Sequence, residues 1–163
     1  MPISSTFASW DGDAYEIQMG RWSRRLAPLF IDFAGIVAAG RVLDVGCGTG
    51  SLSFCLARNP GIVEVEGLDF SPAYIDHAKR QNGDPRLNFR VGNACALPFP
   101  IASFDHTLAM LVLQFIPDAC QSAFKFDPVS ASNFDPFERR VLAVALASSE
   151  LVGVAETVRA RAA

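Results

Sequence analysis

Charge and histidine are scarce in this chain: of 163 residues, 19% are Asp, Glu, Lys or Arg and two are histidine. Basic residues number 14 against 17 acidic ones, for a net charge of −3. With no basic surplus, there is no electrostatic pull toward nucleic acid or an anionic membrane surface, and a small-molecule ligand suits the chain better. Cysteine is sparse too. Cys47, Cys55, Cys95 and Cys120 form no Cys-x-x-Cys pair and lack histidines at zinc spacing, which excludes a structural zinc site and a redox dithiol; no metal is expected, and the thiols read as small buried hydrophobes. No apolar run reaches the ~20 residues that span a bilayer. Met1-Pro2-Ile3-Ser4-Ser5 lacks the basic cluster and apolar core of a secretory leader, so the expectation is a cytoplasmic protein. No internal repeat is visible.

What the chain does have is apolar content. Half of its residues are hydrophobic, and its length suits one domain with a real core. Residues 1–10 show no periodicity and read as a loose N-terminus. Beyond Asp11-Gly12-Asp13, apolar residues at Ile17, Met19, Trp22, Leu26 and Leu29 keep a helical rhythm. Pro28 is expected to break that helix, which resumes through Ala34 and ends near Gly35 or Gly40. Strands are predicted over 41–45, 62–69, 87–91 and 104–115, the last a long apolar run suited to burial on both faces. Helices are predicted over 51–58 and 73–82, the second with Ser71 as cap and Pro72 in its first turn. Strands alternating with helices imply a parallel sheet with right-handed crossovers. After Asp118 the pattern dissolves into a loop over 121–134, then a helix over 136–147 opened by Asp135-Pro136.

The chemistry concentrates in Asp44-Val45-Gly46-Cys47-Gly48-Thr49-Gly50. Glycines at alternate positions after a strand allow a tight turn and close approach of backbone to a ligand. The following helix start offers free N–H groups. A dinucleotide fingerprint would place its third glycine one position later, where Ser51 stands. Asp69 ends the next strand and arrives beside the loop, where a ribose diol would need acceptors; capping the Ser71 helix is the plainer alternative. His77 is expected on a helix surface and His106 at the start of a buried strand, both structural.

Several ordered motifs resemble the class I S-adenosylmethionine-dependent methyltransferases, within them the small-molecule methyltransferase-like group. They are Val42-Leu43-Asp44-Val45-Gly46-Cys47-Gly48-Thr49-Gly50, Gly67-Leu68-Asp69-Phe70-Ser71, Gly92-Asn93-Ala94-Cys95-Ala96-Leu97-Pro98-Phe99, and the stretch from Phe104-Asp105 through Leu111-Val112-Leu113. The resemblance implies S-adenosyl-L-methionine as cofactor. Asp44, Gly46, Gly48 and Gly50 would hold its methionine and ribose portion, Asp69 the ribose hydroxyls, and Phe70 would lie against adenine. Asn93 and Ala94 would read the adenine edge, and Leu111 would face the cofactor from the end of the fourth strand. Asn93 stands where an aspartate is commoner. The segment from Tyr15 to Leu26 is similar to the N-terminal helices that fold over the cofactor in this group; Arg21 is either a partner for the cofactor carboxylate or part of a solvated face with Arg24 and Arg25.

These readings combine into an α/β, Rossmann-like three-layer sandwich whose incomplete parallel sheet runs in the order 3-2-1-4, with an atypical helical C-terminal segment. Residues 11–120 form the cofactor-binding domain, flanked by 1–10 and by 121–163. The later strands of the family are not legible. That leaves 104–115 as an edge strand needing a cover, supplied by the C-terminal segment, another protein or a second copy in a homo-oligomer. Methyl transfer to a small-molecule acceptor is the expected function, with no catalytic residue assigned. The alternative is a shortened, non-catalytic S-adenosylmethionine-binding or assembly protein.

Overall fold

The computed structural model describes residues 11–36, 40–100, 103–112, 115 and 141–142. Its centre is β1 (Gly40–Val45), whose residues Val42, Leu43, Asp44 and Val45 are all buried because strands flank it on both sides. It pairs in parallel with β2 (Ile62–Asp69) and with β4 (His106–Leu108), and β2 pairs in parallel with β3 (Leu87–Val91). The sheet order is β3-β2-β1-β4-β5, with β5 (Val141–Leu142) parallel to β4. The expected 3-2-1-4 order therefore stands, extended by one short strand.

Alternation along the strands separates two apolar clusters. Val42, Val65, Leu87, Phe89 and Leu108 meet residues of α2 (Arg21–Ala34), α3 (Ser51–Leu56) and α4 (Pro72–Gln81) on one face. On the other face Leu43, Val45 and Leu68 are packed by Ala94, Leu97, Phe99, Phe104 and Val112. The helices stay on one face because β1-to-β2 and β2-to-β3 step in the same direction across the sheet, and right-handed crossovers then fall on the same side. Helix α4 begins as its sequence implied: Ser71 caps it, accepting from the Tyr74 N–H, with Pro72 in the first position.

Four expectations need correction. Pro28 does not interrupt α2, which runs unbroken to a left-handed Gly35 (φ 65°). Pro28 faces solvent, where water can bond the carbonyl that its missing N–H leaves free. The apolar rhythm of α2 also marks the wrong face: Trp22, Leu29 and Phe33 are exposed, while Ser23, Ala27, Phe30 and Ala34 are buried. Small residues let α2 lie close against α3, and Phe30 is the one large side chain of α2 that is fully buried in the core beside Ala27 and Ala34. Among the described residues of 104–115 the strand covers His106–Leu108 alone, and Leu111 turns the backbone into the left-handed region (φ 60°); an apolar run carries no signal of where extension stops. Last, Val141 and Leu142, placed in the helix read over 136–147, are extended and pair with Thr107 and Leu108. A ladder satisfies strand-edge backbone groups as a helix cannot. The rest of that helix, the loop over 121–134 and residues 1–10 lie outside the described residues. So do residues 116–120 and the remainder of 143–163.

The face correction has a measurable consequence. Phe30→Ala should lower the unfolding free energy by ~3–5 kcal/mol, as cavity formation in a packed core does. Phe33→Ala should change it by less than about 0.5 kcal/mol. Urea unfolding of the two variants distinguishes them, and equal losses would contradict the assigned face.

Candidate functional site

The loop leaving β1 is tied to the end of β2 by backbone alone: the Gly46 and Cys47 N–H groups both donate to the Leu68 carbonyl, at 2.7 and 3.1 Å. Gly46, Gly48 and Gly50 all have positive φ (69°, 55° and 93°). At Gly46 a second constraint applies, since a Cβ would lie 2.2 Å from Val112 Cγ2. At Gly48 the peptide N–H donates to Asp69 Oδ2 at 2.9 Å, while Asp69 Oδ1 accepts from the Ser71 N–H at 2.8 Å. Asp69 is thus the joint between the glycine loop and the start of α4, which is the plainer of the two readings of that residue. A carboxylate has about four lone-pair sites, so it retains capacity for a ligand. Burial raises its pKa above the ordinary carboxylate range, opposed by these amide hydrogen bonds.

Asp44 sits beneath the loop, 1% exposed, and accepts from Ser53 Oγ of α3 at 2.6 Å. Burial pushes its pKa up to about 7, the Ser53 hydrogen bond opposing and the Asp69 charge adding to the shift. Cys47 lies in the same setting: burial, then Asp44 and Asp69, hold its thiol well above its usual range, so it is an inert packing group.

An N-terminal strap closes over this loop. It consists of α1 (Gly12–Tyr15) and one π-helical turn, Glu16–Gly20. Tyr15 stacks on Tyr74 (centroids 4.5 Å apart) and its ring lies 3.6 Å from where a Gly48 Cβ would be. Burial, with Tyr74 beside it, raises the Tyr15 hydroxyl to about 12. Glu16 accepts hydrogen bonds from Thr49 of the loop and from Arg24 of α2. Asp13 pairs with His77 Nδ1 at 2.8 Å. His77 is therefore buried under the strap, correcting the surface position read from its helix; the tertiary partner Asp13 is 64 residues away. Between strap and loop lies a cavity of about 20 Å³, bordered by Tyr15, Ser23, Asp44, Thr49 and Met110, room for about one water.

The parallel sheet brings the remaining sequence-derived residues to one edge. In spatial order, Asn93 and Ala94 follow β3, Asp69 ends β2 with Phe70 just beyond it, the Gly46-Gly48-Gly50 loop follows β1, and Leu111 follows β4. Gly92 N–H donates to the Asp69 carbonyl at 2.8 Å and holds the Asn93 turn against β2. Asn93 Oδ1 accepts from the Cys95 N–H at 2.8 Å, so one acceptor site of the amide already shapes the turn. Phe70 is 50% exposed, an aromatic face open at the site. The Asp44 side chain turns to α3 and borders the cavity from below. Arg21 is exposed, with its guanidinium 5.3 Å from the Trp22 ring centre, in keeping with the solvated-face reading. Ser53, Thr49 and Glu16 were not singled out from sequence; a serine on the buried side of α3 was the one available signal. A larger open groove of about 610 Å³ runs along β2 and β3 past Glu64, Glu66, Lys79 and Arg90. It lies away from the glycine loop, and the site is assigned by the convergence of strand ends rather than by cavity size.

Comparison with known proteins shows the family. Residues 42–126 match a family described as methyltransferase domain. The erythromycin 3''-O-methyltransferase of Saccharopolyspora erythraea is 32% identical over 92 residues, 54% of this chain and 30% of that protein. A demethylmenaquinone methyltransferase of Deinococcus radiodurans is 43% identical over 67 residues, 40% of this chain and 28% of that protein. Among solved structures, the mmp1179 protein of Methanococcus maripaludis superposes with a TM-score of 0.58 at 22% identity, covering 74% of this chain and 59% of that one, a likeness of fold. The chain spans about a third of the length of the two curated relatives.

The buried acid makes stability depend on pH. The pKa of Asp44 is raised on folding, so its contribution is most favourable below the ordinary carboxylate range and is lost as pH rises toward about 7. Within that window the loss is about 1.4 kcal/mol per pH unit at most, and Asp69 shifts in the same direction. Urea midpoints measured from pH 4.5 to 7 should fall less steeply in Asp44→Asn than in the parent chain. Parallel profiles would refute a neutral Asp44.

Proposed function

The chain belongs to the class I S-adenosylmethionine-dependent methyltransferases, and from that premise we propose that its strand-end site holds S-adenosylmethionine for methyl transfer to a small-molecule acceptor. The observation that carries the proposal is the joint of Asp69 to the Gly48 amide, flanked by the open ring of Phe70. It sets a carboxylate, a flat apolar face and a glycine backbone side by side, which is what a ribose, a purine and a chain that must pass close to the main chain each require. Residues 11–120 are taken as the unit that does this.

The charge balance supports the same ligand. Asp44 and Asp69 are both held above their ordinary pKa, each by burial first, and Glu16 accepts from Thr49 of the loop. Asp44 borders the cavity and no cation stands among the residues that line it, whereas Glu16 is already paired with Arg24. A ligand bearing positive charge is therefore favoured there, because it stabilises the ionised acids. S-adenosylmethionine supplies a sulfonium-bound methyl group and a cationic ammonium.

In this reading the residues have separate tasks. Asp69 accepts from the ribose hydroxyls while keeping the loop in register through Gly48. Phe70 carries the adenine, Asn93 and the Ala94 amide meet its polar edge, and Leu111 shields the reacting side from β4. Gly46, Gly48 and Gly50 keep the backbone free of Cβ atoms along the methionine portion, and Asp44 props the loop from below through Ser53. The cavity under the strap is too small for the charged end of such a ligand, so the Gly12–Gly20 region lifts to admit it and closes again to exclude water. Charge is dispersed as a methyl group leaves a sulfonium, so orientation and water exclusion supply much of the acceleration, without an obligatory base. A small-molecule acceptor is supported by the two relatives, named for a macrolide and a quinone precursor.

Calorimetric titration with S-adenosylmethionine and with its demethylated product should give saturable binding of both. Phe70→Ala should weaken it about tenfold or more, since stacking of a base on an aromatic ring is worth roughly 1–3 kcal/mol, while the thermal midpoint stays unchanged because the ring is half exposed. Absence of heat at millimolar ligand would overturn the proposal. Once binding is measured, incorporation of labelled methyl into a metabolite extract reports turnover, and binding without incorporation would restrict the chain to a cofactor-holding role.

A further inference from the structure

The residues that gave α2 its apolar rhythm are not in the core. Trp22, Leu29 and Phe33 are 54%, 42% and 58% exposed, and Leu26 between them is half-buried. Their spacing is four, three and four residues, the repeat that forms one continuous stripe along a helix. Met19 and Ile17, exposed in the π-helical turn, continue the apolar surface at its N-terminal end. The stripe borders the buried face formed by Ser23, Ala27, Phe30 and Ala34. Thus α2 is apolar over about half its circumference and covered over only part of it. An exposed aromatic and aliphatic row of this kind marks a contact surface.

Charges beside the stripe indicate its partner. Arg25 and Asp32 stand seven residues apart on the outer flank, both exposed, and among the described residues neither forms an ion pair. The opposite flank carries Ser23 and Phe30, which are buried against the protein. If a second α2 packs antiparallel, Trp22 meets Phe33 of the second copy and Leu26 meets its Leu29. The same register brings Arg25 beside the second copy's Asp32, and by the two-fold axis each contact occurs twice. A parallel arrangement places each charged flank against the core-facing side of the other helix and leaves both charges unmatched. We propose that this chain forms a two-fold dimer through antiparallel pairing of the α2 stripes, locked by reciprocal Arg25–Asp32 ion pairs. The surface is distinct from the β4 edge, where Val141 and Leu142 already pair with Thr107 and Leu108, and the proposal is independent of the cofactor reading.

Light scattering on the purified full chain across a concentration series tests it. The parent chain should show twice the 17.6 kDa of one chain. Trp22→Ser combined with Phe33→Ser should give a monomer with an unchanged circular dichroism spectrum, since both side chains are exposed. Arg25→Glu and Asp32→Arg should each raise the dimer dissociation constant about tenfold, by placing like charges together, and the double reversal should restore the parent value. A parent chain that is monomeric at every concentration would overturn the proposal, as would a dimer indifferent to the stripe substitutions. Failure of the double reversal to recover what each single reversal loses would overturn the antiparallel register.

Discussion

The 2.9 Å hydrogen bond from the Gly48 amide to Asp69 is the contact on which the rest of the site depends. It links the loop after β1 to the end of β2, and the other oxygen of the same carboxylate fixes Ser71, the cap of α4. One side chain therefore sets the relative positions of three elements that sheet pairing alone would leave adjustable at their ends. Gly46 completes the joint from the other side: its amide is bonded to Leu68, and its missing Cβ is the space that Val112 occupies. The loop is closely packed against its neighbours, so for the proposed ligand its backbone would be ordered in advance, which reduces the ordering cost of binding.

Rigidity comes with an electrostatic cost. Asp44 is buried and Asp69 half-buried, the charge of Asp69 acts on Asp44, and each is held above the ordinary carboxylate range. A fold selected only for stability would have no reason to keep two desolvated acids under a glycine loop. The strap adds a third carboxylate, Glu16, bonded to Thr49 and Arg24. Gly20 leaves room for it, since a Cβ there would collide with the Glu16 carboxylate. The strap, the loop and α2 thus form one connected polar network around a cavity of single-water size.

Much of the sheet was legible before any tertiary information. The strand over 62–69, the helix behind Ser71-Pro72 and the strand over 87–91 each carry local punctuation: Asn59-Pro60-Gly61 before the first, a capping serine with first-turn proline for the second, and a turn containing Asn82 and Asp84 before the third. The fourth strand was legible as a strand but not in its extent, because Leu108 and Leu111 look alike in sequence while only Leu111 adopts a left-handed backbone. The order of the strand ends was implied by the family resemblance, which also assigned Asn93, Asp69, Gly46 and Leu111 to a common edge. What Asp69, Asn93 and Asp44 bond to there could not be read, since three of those partners are backbone amides and one is a serine in the next helix.

Sequence by itself determined the alternation of strands and helices, the glycine loop and the family to which they point, because these rest on local rules: periodicity, caps, and the exclusion of Cβ from tight turns. Tertiary structure alone decided which face of α2 is buried, that His77 is covered by Asp13, that Glu16 reaches Thr49, and that Val141 and Leu142 extend the sheet. Each of those is a contest between surfaces far apart in the chain. In α2 the contest went against hydrophobicity. Ala27 and Ser23 permit a close approach to α3 that Trp22 and Phe33 would prevent, and packing distance outweighed the transfer free energy of the larger side chains.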